Sequence, residues 1–311
     1  TGGSDHGGTP GDSTVIAGPT PTTAASVPPA PPPGRSLSQL DDIAPVVLDR
    51  PPFTETLGPT SGTHRPQLVV DSSNEFFPGD FLSRRRTWLD ENRLTLSIET
   101  NVALLPAVIP RSYRGHPVQS LIQGSEQSFI LYGSAVRVFG SDYFQPSILV
   151  AVDPSVTSVS YVYDFSQYVY SPDPPQKDAS GSTIEKDRIF EGLDWATQVG
   201  DTLYVANGYN GYAADSNGLT GYITAIDLHT NTLLWRSAPL TSNAQQFQVV
   251  GDVVVAGYGF TAEPDYLYVL DAKSGEVIRR IDLQSGPSYV LQRDGEIFVS
   301  CYDIEYTLHL E

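Results

Sequence analysis

The chain has 311 residues and sets 36 acidic side chains against 18 basic ones, a net charge of −18, which makes nucleic acid and anionic membrane surfaces poor partners. One cysteine excludes an internal disulfide, and the five histidines show no i, i+2 or i, i+4 pairing, so neither metal nor cofactor is expected. No apolar run reaches transmembrane length, and the length allows one or two domains with a sizeable core.

Residues 1–66 are low in complexity and richest in Pro, Thr and Ala, with Pro28-Pro29-Ala30-Pro31-Pro32-Pro33 as the stiffest part. Such a run favours extended polyproline geometry and has little apolar surface to bury, so an extended tail or tether is expected. The sequence contains no methionine, and Thr1-Gly2-Gly3-Ser4-Asp5 leads into the Pro/Thr/Ala run in the manner that follows a removed export signal. An extracytoplasmic location, periplasmic or at the cell surface, is therefore expected, and a lipid anchor upstream of Thr1 is compatible with it. Within the tail, Leu37, Leu40, Ile43, Val46, Val47 and Leu48 form an apolar anchor. It is read as lying along a protein partner in a larger, membrane-associated assembly, the alternative being a tail folded back on its own domain.

From Gln67 to Glu311 the composition is globular. Residues 67–70 and 94–98 read as strands, the second with period-2 alternation and expected to close the domain by pairing with its last strands. Arg84-Arg85-Arg86 reads as a solvated loop and 102–117 as an irregular crossing. A degenerate repeat follows, with strands at 134–140, 148–153 and 159–163. Residues 166–187, with Pro172, Pro174 and Pro175, read as an insertion at one rim.

The clearest pattern comes next. Val199-Gly200-Asp201-Thr202-Leu203-Tyr204-Val205-Ala206 is answered by Val250-Gly251-Asp252-Val253-Val254-Val255-Ala256-Gly257. Residues 221–227 are answered by 265–271, and Leu233-Leu234-Trp235-Arg236 by Val277-Ile278-Arg279-Arg280. The Gly-Asp pairs lie 51 residues apart and the later aspartates, Asp227 and Asp271, 44 apart. Glycine and aspartate supply the tight turn into each strand, and Asn231 and Gly275 stand where hairpins call for left-handed backbone. A final copy opens at Arg293 and the sequence ends within it. A period of forty to fifty residues built of short strands predicts an all-β fold, a small β-propeller of four blades, or five if 67–117 forms its own.

Residues 199–236 and 250–280 resemble the PQQ-like (quinoprotein-type) propeller repeat, in which a Val-Gly-Asp strand leads to an aspartate hairpin and a Trp-Arg exit strand. The resemblance covers about a quarter of the chain and implies fold rather than chemistry. The adjacent cysteine pair of the quinone enzymes has no counterpart here, so a non-enzymatic member is expected.

Other chemistry is weakly encoded. Asp215-Ser216-Asn217-Gly218 holds a fragment of calcium-loop grammar without its closing glutamate and reads as a turn, and no G-x-S-x-G elbow occurs. Glu263 and Asp265 read as loop-tip carboxylates. Tyr209, Tyr212, Tyr258 and Phe260 place aromatics on glycine-rich loops at corresponding points of two repeats. They either form an adaptable recognition surface or pack between blades. The expected function is a non-catalytic extracytoplasmic scaffold or assembly subunit that binds protein partners, the alternative being a carbohydrate- or peptide-binding surface protein.

Overall fold

A computed structural model describes residues 34–53, 66–91, 105–138, 141–169, 191–209, 211–244, 246–260 and 262–311, and Gly34–Glu311 form one compact unit. The composition break at 66/67 falls inside this unit. The expected strand at 94–98 and most of the 166–187 insertion lie outside the described residues.

The elements run in order as β1 (Arg35–Ser36), β2 (Val46–Val47), β3 (Leu68–Glu75), α1 (Phe81–Glu91), β4 (Ser112–Tyr113), β5 (His116–Ile122), β6 (Ser128–Val138), β7 (Ser141–Val152) and β8 (Ser158–Asp164). They continue as β9 (Gly192–Val199), β10 (Thr202–Gly208), β11 (Tyr222–Asp227), β12 (Thr232–Arg236), β13 (Gln248–Val250), β14 (Val253–Tyr258), β15 (Tyr266–Asp271) and β16 (Val277–Asp282). The last three are β17 (Pro287–Arg293), β18 (Glu296–Cys301) and β19 (Ile304–Leu310). Antiparallel β5–β8 form blade 1, extended by β4 on one side and by β1 and β2 on β8. Blades 2 and 3 are the four-stranded sheets β9–β12 and β13–β16. Blade 4 is β17, β18, β19 and β3. The fold is that of a β-propeller.

Each repeat reads as three strands from its pattern and has four. The added ones, β9, β13 and β17, precede the Gly-Asp or Asp-Gly turn and pair back across it, as in Val199 with Thr202 and Val250 with Val253. Gly200 and Gly251 open these two-residue turns at φ of +57° and +59°, a region that costs other residues steric strain. Every residue of β14 is buried, as a near-continuous apolar run requires when both sheet faces are covered.

A second signature recurs where the third strand meets its hairpin. Asp153, Asp227 and Asp271 each accept backbone N–H groups from the turn that follows, Thr157 and Ser158, His229 and Thr230, Lys273 and Ser274. In all three blades the register shifts at the two residues before the aspartate: Ala151/Val152, Ala225/Ile226 and Val269/Leu270. Blade 4 has the same shift at Thr307/Leu308 but no hairpin after it. Its fourth strand is β3, which pairs from Leu68↔Leu310 to Glu75↔Ile304. Blade 4 is thus completed by 68–75, whereas the expected 94–98 lies outside the described residues; β3 belongs to blade 4 and β4–β5 to blade 1, so the described residues of 67–117 form no fifth blade.

Packing runs continuously through the blades. One cluster joins blades 1, 2 and 3, through residues such as Leu149, Val205 and Val254. Another joins blades 3 and 4 through Val255, Val269 and Val299. Polar groups pin the seams: Tyr163 donates to Asn231 Oδ1 at 2.5 Å, Trp235 Nε1 to the Ala272 carbonyl at 3.0 Å, and Gln248 to the Val290 carbonyl at 2.9 Å. A Cβ at Gly275 would collide with the Trp235 ring. Cys301 is fully buried in β18, as its apolar surroundings suggest.

Two readings need correction. Arg84-Arg85-Arg86 is helical rather than looped, because α1 buries Trp88 against Phe298 of blade 4 while Arg84 pairs with Glu305. The irregular crossing at 102–117 contains the short β4–β5 hairpin, with Tyr113 buried.

Candidate interaction surface

The loops leaving β10, β14 and β18 lie at the same end of their blades. The first holds Tyr209 and Tyr212, the second Phe260 just beyond Tyr258 at the end of β14, and the third Tyr302. Tyr209 and Tyr258 are buried, whereas Tyr212 is 48% and Phe260 42% exposed. The two exposed rings come from different blades and meet edge to face, with centroids 5.0 Å apart at 79°. The four aromatics thus divide into two that pack and two that face solvent.

The exposed pair is held from beneath. Tyr212 precedes a single 3-10 turn, Ala213–Ser216, that ends on left-handed Asn217. The Ala213 N–H donates to Glu263 Oε1 at 2.8 Å, the Tyr258 hydroxyl donates to Glu263 Oε2, and the Glu263 N–H donates to the Phe260 carbonyl at 2.8 Å. One carboxylate therefore ties both loops together, and burial next to it drives the Tyr258 hydroxyl far above its ordinary pKa. The neighbouring Asp265 is half-buried, and burial followed by the charges of Asp303 and Glu263 raises its carboxyl. Asp303 accepts the Ser285 hydroxyl at 2.5 Å. Residues 215–218, read as a turn, close the 3-10 turn Ala213–Ser216.

The tail residues lie elsewhere. Leu37, Leu40 and Leu48 are buried and Ile43 half-buried, so their apolar surface faces this chain and not a partner. The Leu37 N–H donates to the Thr157 carbonyl at 2.8 Å, and Tyr113 donates to the Ile43 carbonyl at 2.5 Å. Only Val46 and Val47 remain exposed, on a short strand running parallel to β8.

Sequence reading missed a charged centre at the start of β9. Glu191 and Arg236 form an ion pair with side chains 1% and 2% exposed. The guanidinium stands 3.7 Å from the Tyr222 ring centroid, 4.8 Å from Phe53 and 5.5 Å from Tyr168, and it donates to the Pro52 carbonyl at 3.1 Å. Burial raises Glu191 to about 7 despite Arg236, and burial alone raises Asp194 to about 7. The Trp-Arg of the repeat was the available signal for Arg236. Its acidic partner, 45 residues earlier, had none.

Fold and surface together define a β-propeller with a paired aromatic rim. No family model and no curated protein matches the chain. Similar solved structures include the computationally designed Ika4 protein, 11% identical, with a TM-score of 0.36 over 64% of this chain and 92% of that one. BamB from Moraxella catarrhalis is 11% identical, with a TM-score of 0.30 over 62% and 71%. Glutaminyl cyclase from Myxococcus xanthus is 11% identical, with a TM-score of 0.35 over 64% and 74%. No described helix is long and apolar enough to cross a membrane.

Proposed function

We infer that the protein is a non-catalytic interaction subunit, a non-enzymatic relative of the PQQ-like propellers, that docks protein partners on the Tyr212–Phe260 rim. The observation that carries this reading is the exposed ring pair, fixed across two blades by Glu263. Large rigid rings give contact area at low cost in conformational entropy, which is why interfaces are enriched in them. The extracytoplasmic part of the reading rests on the composition of the tail. A carbohydrate-binding role asks for ring faces open to a sugar. At 79° one ring presents its edge to one face of the other, a smaller stacking platform than two coplanar rings would give.

A photo-crosslinking residue placed at 212 and, separately, at 294 in the opposite-end turn tests it in the native host. The expected result is a discrete protein adduct from position 212 alone. Equal labelling from both positions, or adducts that contain only glycan, overturns the reading.

A further inference from the structure

The two faces of blade 4 are covered differently. Towards blade 3 it packs Val290, Ile297 and Val299 into a cluster shared with Val255 and Val269. Side chains alternate across a sheet, so Tyr289, Leu291 and Phe298 stand on its other face. Among the described residues their cluster is completed by Trp88 of α1 and by no side chain of another blade. The helix lies across that face. Trp88 meets Phe298 edge to face at 6.5 Å, Arg85 stands 4.7 Å over the Tyr289 ring, Arg84 pairs with Glu305, and Phe81 packs on Tyr302 at 5.4 Å. Blade 1 has a like cover on its own free side, where Leu37, Leu40 and Tyr113, each at most 1% exposed, pack with Ile130 and Val150.

The cover of blade 4 is much the weaker. Helix α1 has 11 residues, a length that is marginal in water unless packing holds it. Its first turn has no acidic residue and its last turn no basic one, while Asp90 and Glu91 stand at the C-terminal end, where the helix dipole disfavours anions. Trp88 is the one buried side chain among its described residues, Leu82 is 74% exposed, and Phe77 just ahead of the helix is 72% exposed. An element with so few buried apolar contacts opens locally while the sheet beneath it stays folded. We propose that α1 is a releasable lid over a docking face, the Tyr289–Leu291–Phe298 face of blade 4, which it vacates to admit an amphipathic helix of a protein partner. The lid itself shows what fits: an aromatic against Phe298 and, four residues earlier, an arginine that reaches Glu305. A longer partner helix, or one whose end charges suit its dipole, displaces α1 because it keeps these contacts without the handicap. This face is separate from the Tyr212–Phe260 rim, and the proposal does not depend on that reading.

Hydrogen exchange on the full wild-type chain is the first test and needs no variant. Amides of 85–91 are expected to exchange at least about a hundredfold faster than those of β18. Equal protection would show that α1 opens only with the whole fold and would sink the proposal. The second test uses a fluorescently labelled peptide of residues 77–91 as the probe. Trp88→Ala empties the face, and the peptide is expected to bind that variant at least about tenfold more tightly than wild type, whose own lid competes with it. Adding Phe298→Ala to the protein, or replacing the tryptophan of the peptide by alanine, is expected to abolish binding, with thermal melts confirming that each variant is folded. Equal binding to wild type and Trp88→Ala, no binding to either, or binding that survives the loss of Phe298 would each overturn the docking face. Crosslinking from position 212 is expected to be unchanged in Trp88→Ala, which keeps the two readings separable.

Discussion

Arg236 and Glu191 share one dry site, and the balance there is between desolvation and mutual attraction. Removing one partner leaves the other charge buried and uncompensated, which costs about 3–5 kcal/mol. Arg236→Met is therefore predicted to lower stability by that amount in urea unfolding, and adding Glu191→Gln to recover most of it. Asp194 offers a cleaner titration, since burial alone raises its carboxyl to about 7. An unfolded aspartate titrates near pH 4, so between about pH 4 and 7 the folded chain holds the extra proton. Stability from this group thus falls as pH rises through that window. Asp194→Asn is predicted to flatten the slope and to stabilise the protein at pH 8 by roughly 1–3 kcal/mol.

The hairpin elements act in the opposite window. Backbone N–H bonds lower Asp153 to about 2 against its burial penalty, and Asp227 and Asp271 are lowered too. Their stabilisation is complete above the unfolded aspartate range and is lost as pH falls below it, through about 2 for Asp153, so acid is predicted to weaken the blade hairpins. The other element with a sharp consequence is β3. Leu68, 1% exposed, fills the core shared by blades 3 and 4. Leu68→Ala is predicted to cost about 2–4 kcal/mol in the same urea assay. Deleting 67–75 bares the β19 edge, and the expected outcome is aggregation in place of a cooperative melt. An unchanged melt after that deletion would remove the closure role.

Across the whole molecule, legibility followed sequence separation. The repeat at 199–280 could be read because its Gly-Asp turns and aspartate hairpins are local devices with fixed residue types. The extent and closing role of β3 could not: 67–70 read as a strand, but Asp71 to Glu75 are all polar, and its partner lies at the other end of the sequence. The spacing of Leu37, Leu40 and Leu48 announced an apolar face without naming its cover, which turned out to be blade 1 and its seam. Of the rim, the aromatics were visible as loop residues. Only packing could separate buried Tyr209 and Tyr258 from exposed Tyr212 and Phe260.

The pairing of Leu68 with Leu310 has a consequence in time. On a ribosome, blades 1 to 3 emerge with all their strands, and each can dock on the one before it. The strand that opens at Leu68 is made before any of them and has no sheet to join until residue 310 has left the exit tunnel. Until then it is an unpaired strand with an apolar start, the kind of segment that chaperones hold and that neighbouring nascent chains capture. The final folding step then closes a loop of more than two hundred residues, a slow event set by topology rather than by stability. The length of the chain between those two leucines works as a clock, and the molecule stays incomplete until it runs out.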